Sequence, residues 1–202
     1  METAPAPVRG RPREFDPEKA LAAALEIFWR RGYEGASLAE LTEAMGITKP
    51  SLYACFGNKE ALFRKALDLY ERDKLCYMKT ALEAPTAKAV AERLLRGALA
   101  IQCNSADPKG CMGVINSVAG TAHAECIREE VLARRASSDR ALIERFQRAK
   151  DEGDLLPGIE PQALACYLTA LIQGMAVHAG AGVPVSQLSQ LIDTTLAIWP
   201  SK

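Results

Sequence analysis

The chain has 202 residues, 49% of them apolar, which is enough to build a sizeable core in one or two globular domains. Its 25 basic side chains balance 25 acidic ones, so the formal net charge is zero and the broadly basic footprint of many nucleic-acid binders is absent. No long apolar run stands out, which sets the expectation of a cytoplasmic protein with no export signal, no membrane span and no membrane partner.

Residues 1–15 are rich in Pro and Gly and carry Arg9, Arg11 and Arg13, so they read as a flexible basic arm. Arg11 and Arg13 suit a DNA minor groove beside a major-groove site, a solvated tail being the alternative. Asp16 and Pro17 then open a helix as N-cap and first residue. Leu21, Ala24, Leu25 and Phe28 form its apolar stripe until Gly32 ends it. Trp29 and Tyr33, at the end of that helix, either pack or touch a phosphate.

The segment from Ala36 to Glu60 reads as two short helices joined by a tight turn. Ser37 and Glu40 have capping-box spacing, and Leu38, Leu41 and Met45 share one face. Gly46 accepts the left-handed conformation that ends a helix, and Ile47 follows as an apolar plug. Thr48 caps the second helix, Pro50 sits in its first turn, and Leu52 and Phe56 supply its buried side. Lys49, Ser51, Tyr53 and Ala54 are left facing out. Gly57 closes this helix, Asn58 caps the next, and Lys59 lies in its first turn. A second helix of this length fits a major groove, with flanking helix starts and cations on phosphates. The candidate DNA contacts are therefore Arg11, Arg13, Ser37, Thr48, Lys49, Ser51, Tyr53 and Lys59.

The ordered residues Gly-Arg-Pro-Arg, Gly-Tyr, Ser-Leu, Met-Gly-Ile, Leu-Tyr, Phe-Gly and Lys-Glu, met without a gap over the first third of the chain, resemble the DNA-binding domain of the TetR/AcrR family of bacterial transcriptional regulators. The resemblance implies a double-stranded DNA operator as partner, a homodimer, and a connecting helix that passes ligand-driven movement to the reading heads.

From Lys59 the pattern continues as one helix to about Leu82, with Leu62, Ala66, Leu69 and Leu75 on one side, until Pro85 breaks it. Helical patterns follow over 88–103, 111–122, 126–152, 161–179 and 185–199, separated by Pro- and Gly-containing turns. The expected fold class is all-α with about nine helices. The arm spans 1–15, a three-helix helix-turn-helix domain 16–60, and a helical effector-binding and dimerisation domain 61–202. Near the C-terminus, Leu168, Leu171, Met175, Leu188, Leu191, Ile192 and Thr195 recur at helical spacing. They either cap the chain's own core or form the four-helix dimer interface that the resemblance implies.

The effector is not readable from apolar residues alone, because pockets in helical bundles are lined by ordinary core side chains. The distinctive segment is Gly110-Cys111-Met112-Gly113-Val114-Ile115-Asn116-Ser117, which resembles the regulatory domain of one TetR subgroup. Cys103, Cys111, Met112, Asn116, Cys126 and Met175 are the candidate pocket residues, with Asn116 and Ser117 either orienting a ligand or satisfying nearby backbone. The six cysteines lack C-x-x-C pairs and read as reduced thiols. Cys111 beside Lys109, or Cys126 near Arg128, suits a redox or electrophile sensor. A soft-metal sensor drawing on Cys103, Cys111, Met112, His123 and Cys126 is a further alternative, though compact metal spacing is missing. Cys55, inside the second helix of the motif, is expected to pack. With two histidines, no phosphate-binding glycine loop and no nucleophile elbow, the chain is not expected to be an enzyme or to need a cofactor or metal. A DNA-binding protein without an effector, or an interaction module that keeps the motif as scaffold, is the remaining rival.

Overall fold

The computed structural model describes residues 15–104, 107–118 and 124–201. Arg11, Arg13 and His123 lie outside the described residues. The Asp16 carboxylate accepts the backbone N–H groups of Glu18 and Lys19, and Pro17 follows, so α1 runs Pro17–Gly35. Gly32, where the helix was expected to end, does break it: φ is +71° there, and one further turn resumes beyond. Ser37 caps α2 (Leu38–Met45) and Thr48 caps α3 (Lys49–Phe56), with Gly46 in the left-handed conformation between them. Glu40 does not complete the expected capping box but pairs with Arg31 at 3.3 Å.

The single helix expected over 59–82 is two, α4 (Lys59–Lys74) and α5 (Tyr77–Leu82), broken at Leu75 and Cys76. No Gly or Pro marks the break. Its cause is tertiary: α4 buries Leu62, Phe63, Ala66, Leu67 and Tyr70 in one core, whereas α5 lies on α6 in another. A straight helix could not serve both. Then come α6 (Ala87–Cys103), α7 (Met112–Val118), α8 (Glu125–Asp151), α9 (Pro161–Gly180) and α10 (Val185–Ala197), so the described residues form ten α-helices.

The first core joins α1–α4 around Phe28, Trp29, Leu41, Leu52 and Phe63, and it also draws in Met112, Ile127 and Val131 from α7 and α8. Edge-on aromatic contacts tie it together, Phe28 to Phe63 at 5.1 Å and Trp29 to Tyr70 at 4.8 Å between ring centres. The second core joins α5, α6, α8, α9 and α10 around Leu95, Phe146, Leu168, Ile192 and Trp199. Helix α9 corrects the expectation that no long apolar run is present, since it is long and apolar enough to cross a membrane by length and composition. Only 33% of its most apolar stretch is buried within the chain.

Candidate functional site

The exposed face of α3 is built by burying its other side. Leu52 and Phe56 are 0% and 5% exposed, which turns Lys49, Tyr53 and Ala54 outward, with Tyr53 at 45% exposure. Thr48 Oγ1 accepts the Ser51 N–H at 3.3 Å and lies 2.9 Å from the Ser51 hydroxyl, so both side chains stiffen the first turn. Cys55, expected to pack, is exposed on the same helix, because the buried stripe of two turns is narrow enough to be filled by Leu52 and Phe56. Ser37 spends its hydroxyl on the Glu40 N–H at 3.1 Å.

Lys59 stands at the start of α4, beyond the Asn58 cap. Its ammonium sits 4.5 Å above the centre of the Tyr33 ring, a cation–π contact. Burial lowers its pKa from the ordinary lysine value, against the opposing pull of Glu34. Tyr33 thus holds the lysine, while Trp29 is core: it is 1% exposed and donates its indole N–H to the Gly110 carbonyl at 3.3 Å.

A cavity of about 390 Å³ lies between α4, α5, α6, α7, α8 and α9. Its walls are mainly apolar, with Met78, Leu94, Ile101, Leu142 and Ile172 among them. Cys111 and Met175 line it as expected residues, and Cys111 accepts a hydrogen bond from the Tyr70 hydroxyl at 3.5 Å. Burial pushes the Tyr70 hydroxyl far above the ordinary tyrosine pKa, which keeps it a donor. Tyr70, Tyr77, Arg134, Arg135 and Gln173 also line the cavity and were missed. Of these, Gln173 alone left a signal, a polar side chain inside the most apolar helix.

The other expected pocket residues lie elsewhere. Met112 is 0% exposed in the first core and Asn116 is 2% exposed against α1, because residues 112, 115 and 116 share the face of α7 away from the cavity. Cys103 and Cys126 are exposed and do not line it. Among the described residues no group of three or more His, Cys, Asp or Glu side chains gathers to hold a metal.

The expected dimer residues also need correction. Leu168, Met175, Leu188, Ile192 and Thr195 are buried within this chain, since α9 and α10 turn those stripes onto α6 and α8. Leu171 and Leu191 are partly buried, and the large apolar side chains that α9 and α10 leave outside are Tyr167, Val177, Val185 and, just past the end of α10, Ile198.

A stiff two-helix reader with an outward polar face, joined through α4 to a helical body that encloses an apolar cavity, defines a helix-turn-helix regulator of transcription. Residues 20–66 match the family model described as bacterial regulatory proteins, tetR family. The chain is 36% identical over 195 residues to the HTH-type transcriptional repressor ComR of Escherichia coli (strain K12), covering 95% of this chain and 92% of that one. It is 28% identical over 188 residues to the HTH-type transcriptional repressor BdcR of the same organism, covering 90% and 87%. A solved structure of the TetR family regulator CifR, a cysteine mutant complexed with 26-bp operator DNA, is 41% identical with a TM-score of 0.87, over 94% of this chain and 100% of that chain. The chain belongs to the TetR family of bacterial transcriptional regulators, and it is not an enzyme.

Proposed function

We propose that this protein is a cytoplasmic, homodimeric repressor that releases a pseudo-palindromic operator when a mainly apolar small molecule enters the cavity. The observation that carries the reading is the continuity of α4. Its first turn presents Lys59 beside the reading helix, and its Tyr70 reaches the wall of the cavity. The volume falls within the range of small-molecule pockets, about 300–1,000 Å³. A ligand that binds better to a form with its reading heads wrongly spaced shifts the population away from DNA. The apolar α9, only a third of which is buried within the chain, supports a second copy as its cover, with Tyr167, Leu171, Val177, Leu191 and Ile198 toward the partner. Two α3 helices about 34–36 Å apart then meet successive major grooves.

The test is operator binding on the gene's own upstream DNA by fluorescence anisotropy. Tyr53→Ala and Lys49→Ala are expected to weaken binding at least several-fold while leaving the thermal midpoint unchanged. Parental affinity in both variants would show that α3 is not the reading surface.

A second reading follows from Cys111, which both lines the cavity and meets Tyr70. Oxidation by a peroxide or alkylation by an electrophile would enlarge and polarise that contact. Release by hydrogen peroxide that vanishes in Cys111→Ser but persists in Cys55→Ser supports it. Binding indifferent to peroxide returns the cavity to a non-covalent ligand.

A further inference from the structure

We infer that Asn116 is a positioning residue for DNA binding, holding the Tyr33–Lys59 corner of the reading head from a helix that also walls the cavity. The inference rests on Lys59 being a phosphate contact. Helix α7 has two faces with different neighbours. Gly113 and Val114, with Cys111 just ahead of the helix, border the cavity, whereas Met112 is wholly buried in the first core. Asn116 is 2% exposed and its carboxamide is used at both ends. Nδ2 donates to the Met112 carbonyl at 2.8 Å, and Oδ1 accepts the Tyr33 backbone N–H at 2.7 Å.

That N–H belongs to the residue immediately after the break in α1, where Gly32 turns the backbone to φ +71°. The fit is close: a Cβ on Gly32 would lie 3.3 Å from Ile115 Cγ2 and 3.6 Å from Asn116 Oδ1. The Tyr33 ring is then set between Phe28, 6.4 Å away and stacked, and Phe63, 5.4 Å away and edge-on. The Lys59 ammonium rests on the Tyr33 ring at 4.5 Å. One amide, one ring and one ammonium therefore join α7 to the start of α4. Because α7 is only seven residues long, a ligand that displaces Gly113 and Val114 by about 1 Å carries Asn116 with it. The 2.7 Å bond would then stretch past the range of about 2.7–3.2 Å in which such bonds hold.

The experiment measures operator binding by anisotropy across a KCl series for the parent, Lys59→Ala, Asn116→Leu, Asn116→Asp and the double variant Lys59→Ala/Asn116→Leu. One phosphate contact releases about one ion, worth about fivefold in affinity at 0.15 M salt. Asn116→Leu is expected to flatten the salt dependence by about one ion, as Lys59→Ala does, and the double variant is expected to lose no more than either single change. Asn116→Asp keeps the acceptor for the Tyr33 N–H while losing the donor to the Met112 carbonyl, and is expected to keep more of the parental slope than Asn116→Leu. Should Asn116→Leu fail to fold, Tyr33→Leu, which removes the ring and leaves the backbone bond, is expected to show the same loss of slope. A parental slope in Asn116→Leu, or losses that multiply in the double variant, overturns the inference while leaving Lys59 on DNA. An unchanged slope in Lys59→Ala removes the phosphate contact itself, and the inference with it.

Discussion

Alanine at Gly97 should change the sign of its effect with the residue at position 77. Gly97 lies inside α6, and the Tyr77 ring is laid against it so closely that a Cβ there would stand 2.1 Å from Cδ2, 2.4 Å from Cε2 and 2.8 Å from Cγ. Carbon atoms pack at about 3.5–4.0 Å, so the ring would have to retreat by about 1.5 Å. It could do so only by entering the cavity it lines or by shifting α5. Overpacking of this kind costs about 1–3 kcal/mol, while alanine returns about 1 kcal/mol over glycine in a helix interior. The expected net loss is about 1 kcal/mol, or a fall of about 2–4 °C in Tm for a chain of this size. In a Tyr77→Ala background the obstacle is gone, and Gly97→Ala is expected to raise Tm by a similar amount. Thermal unfolding followed by circular dichroism in both backgrounds is the assay. A gain in both would refute the packing argument.

Two further outcomes follow from charged groups. Burial works to raise the Glu130 carboxyl, but hydrogen bonds from Arg134 and Arg64 prevail and hold it below its ordinary value of 4.5. A depressed carboxylate stabilises the fold above that value and loses its contribution as pH falls through the folded pKa, so Glu130→Gln should flatten the acid limb of Tm against pH. Identical acid limbs would remove Glu130 from the account. Arg145 is 6% exposed and donates from Nε to the Leu82 carbonyl at 3.0 Å and from Nη2 to the Ala84 carbonyl at 2.7 Å. Its Nη1 is buried without a partner, which offsets part of that gain. Arg145→Met is expected to cost about 2–4 kcal/mol by urea unfolding, and an unchanged midpoint would mean that the buried charge costs as much as its bonds return.

Legibility in the sequence followed the range of the interaction. The caps Asp16, Ser37, Thr48 and Asn58 act within three residues, and each accepts the bond that its spacing suggests. Gly32 and Gly46 were equally readable, because their positive φ is a local demand. Glu40 departed from its local pattern because Arg31, nine residues away, offers a charge. Met112 and Asn116 looked like pocket residues from their neighbours in the chain, yet half a turn of α7 decides whether a side chain meets the cavity or α1. The break at Leu75 and Cys76 left no mark in composition, since it arises from competition between two cores.

By itself the sequence determined the all-α class and the helix-turn-helix, because those depend on periodicity, caps and turns that are written over a few neighbouring residues, and its ordered motifs carried the resemblance to the family. Only the tertiary structure decided which apolar stripe of α9 and α10 turns inward, where α4 gives way to α5, and how Asn116 reaches Tyr33. The reason is physical: a stripe identifies a face that must be covered, and the cover is supplied by residues far away along the chain.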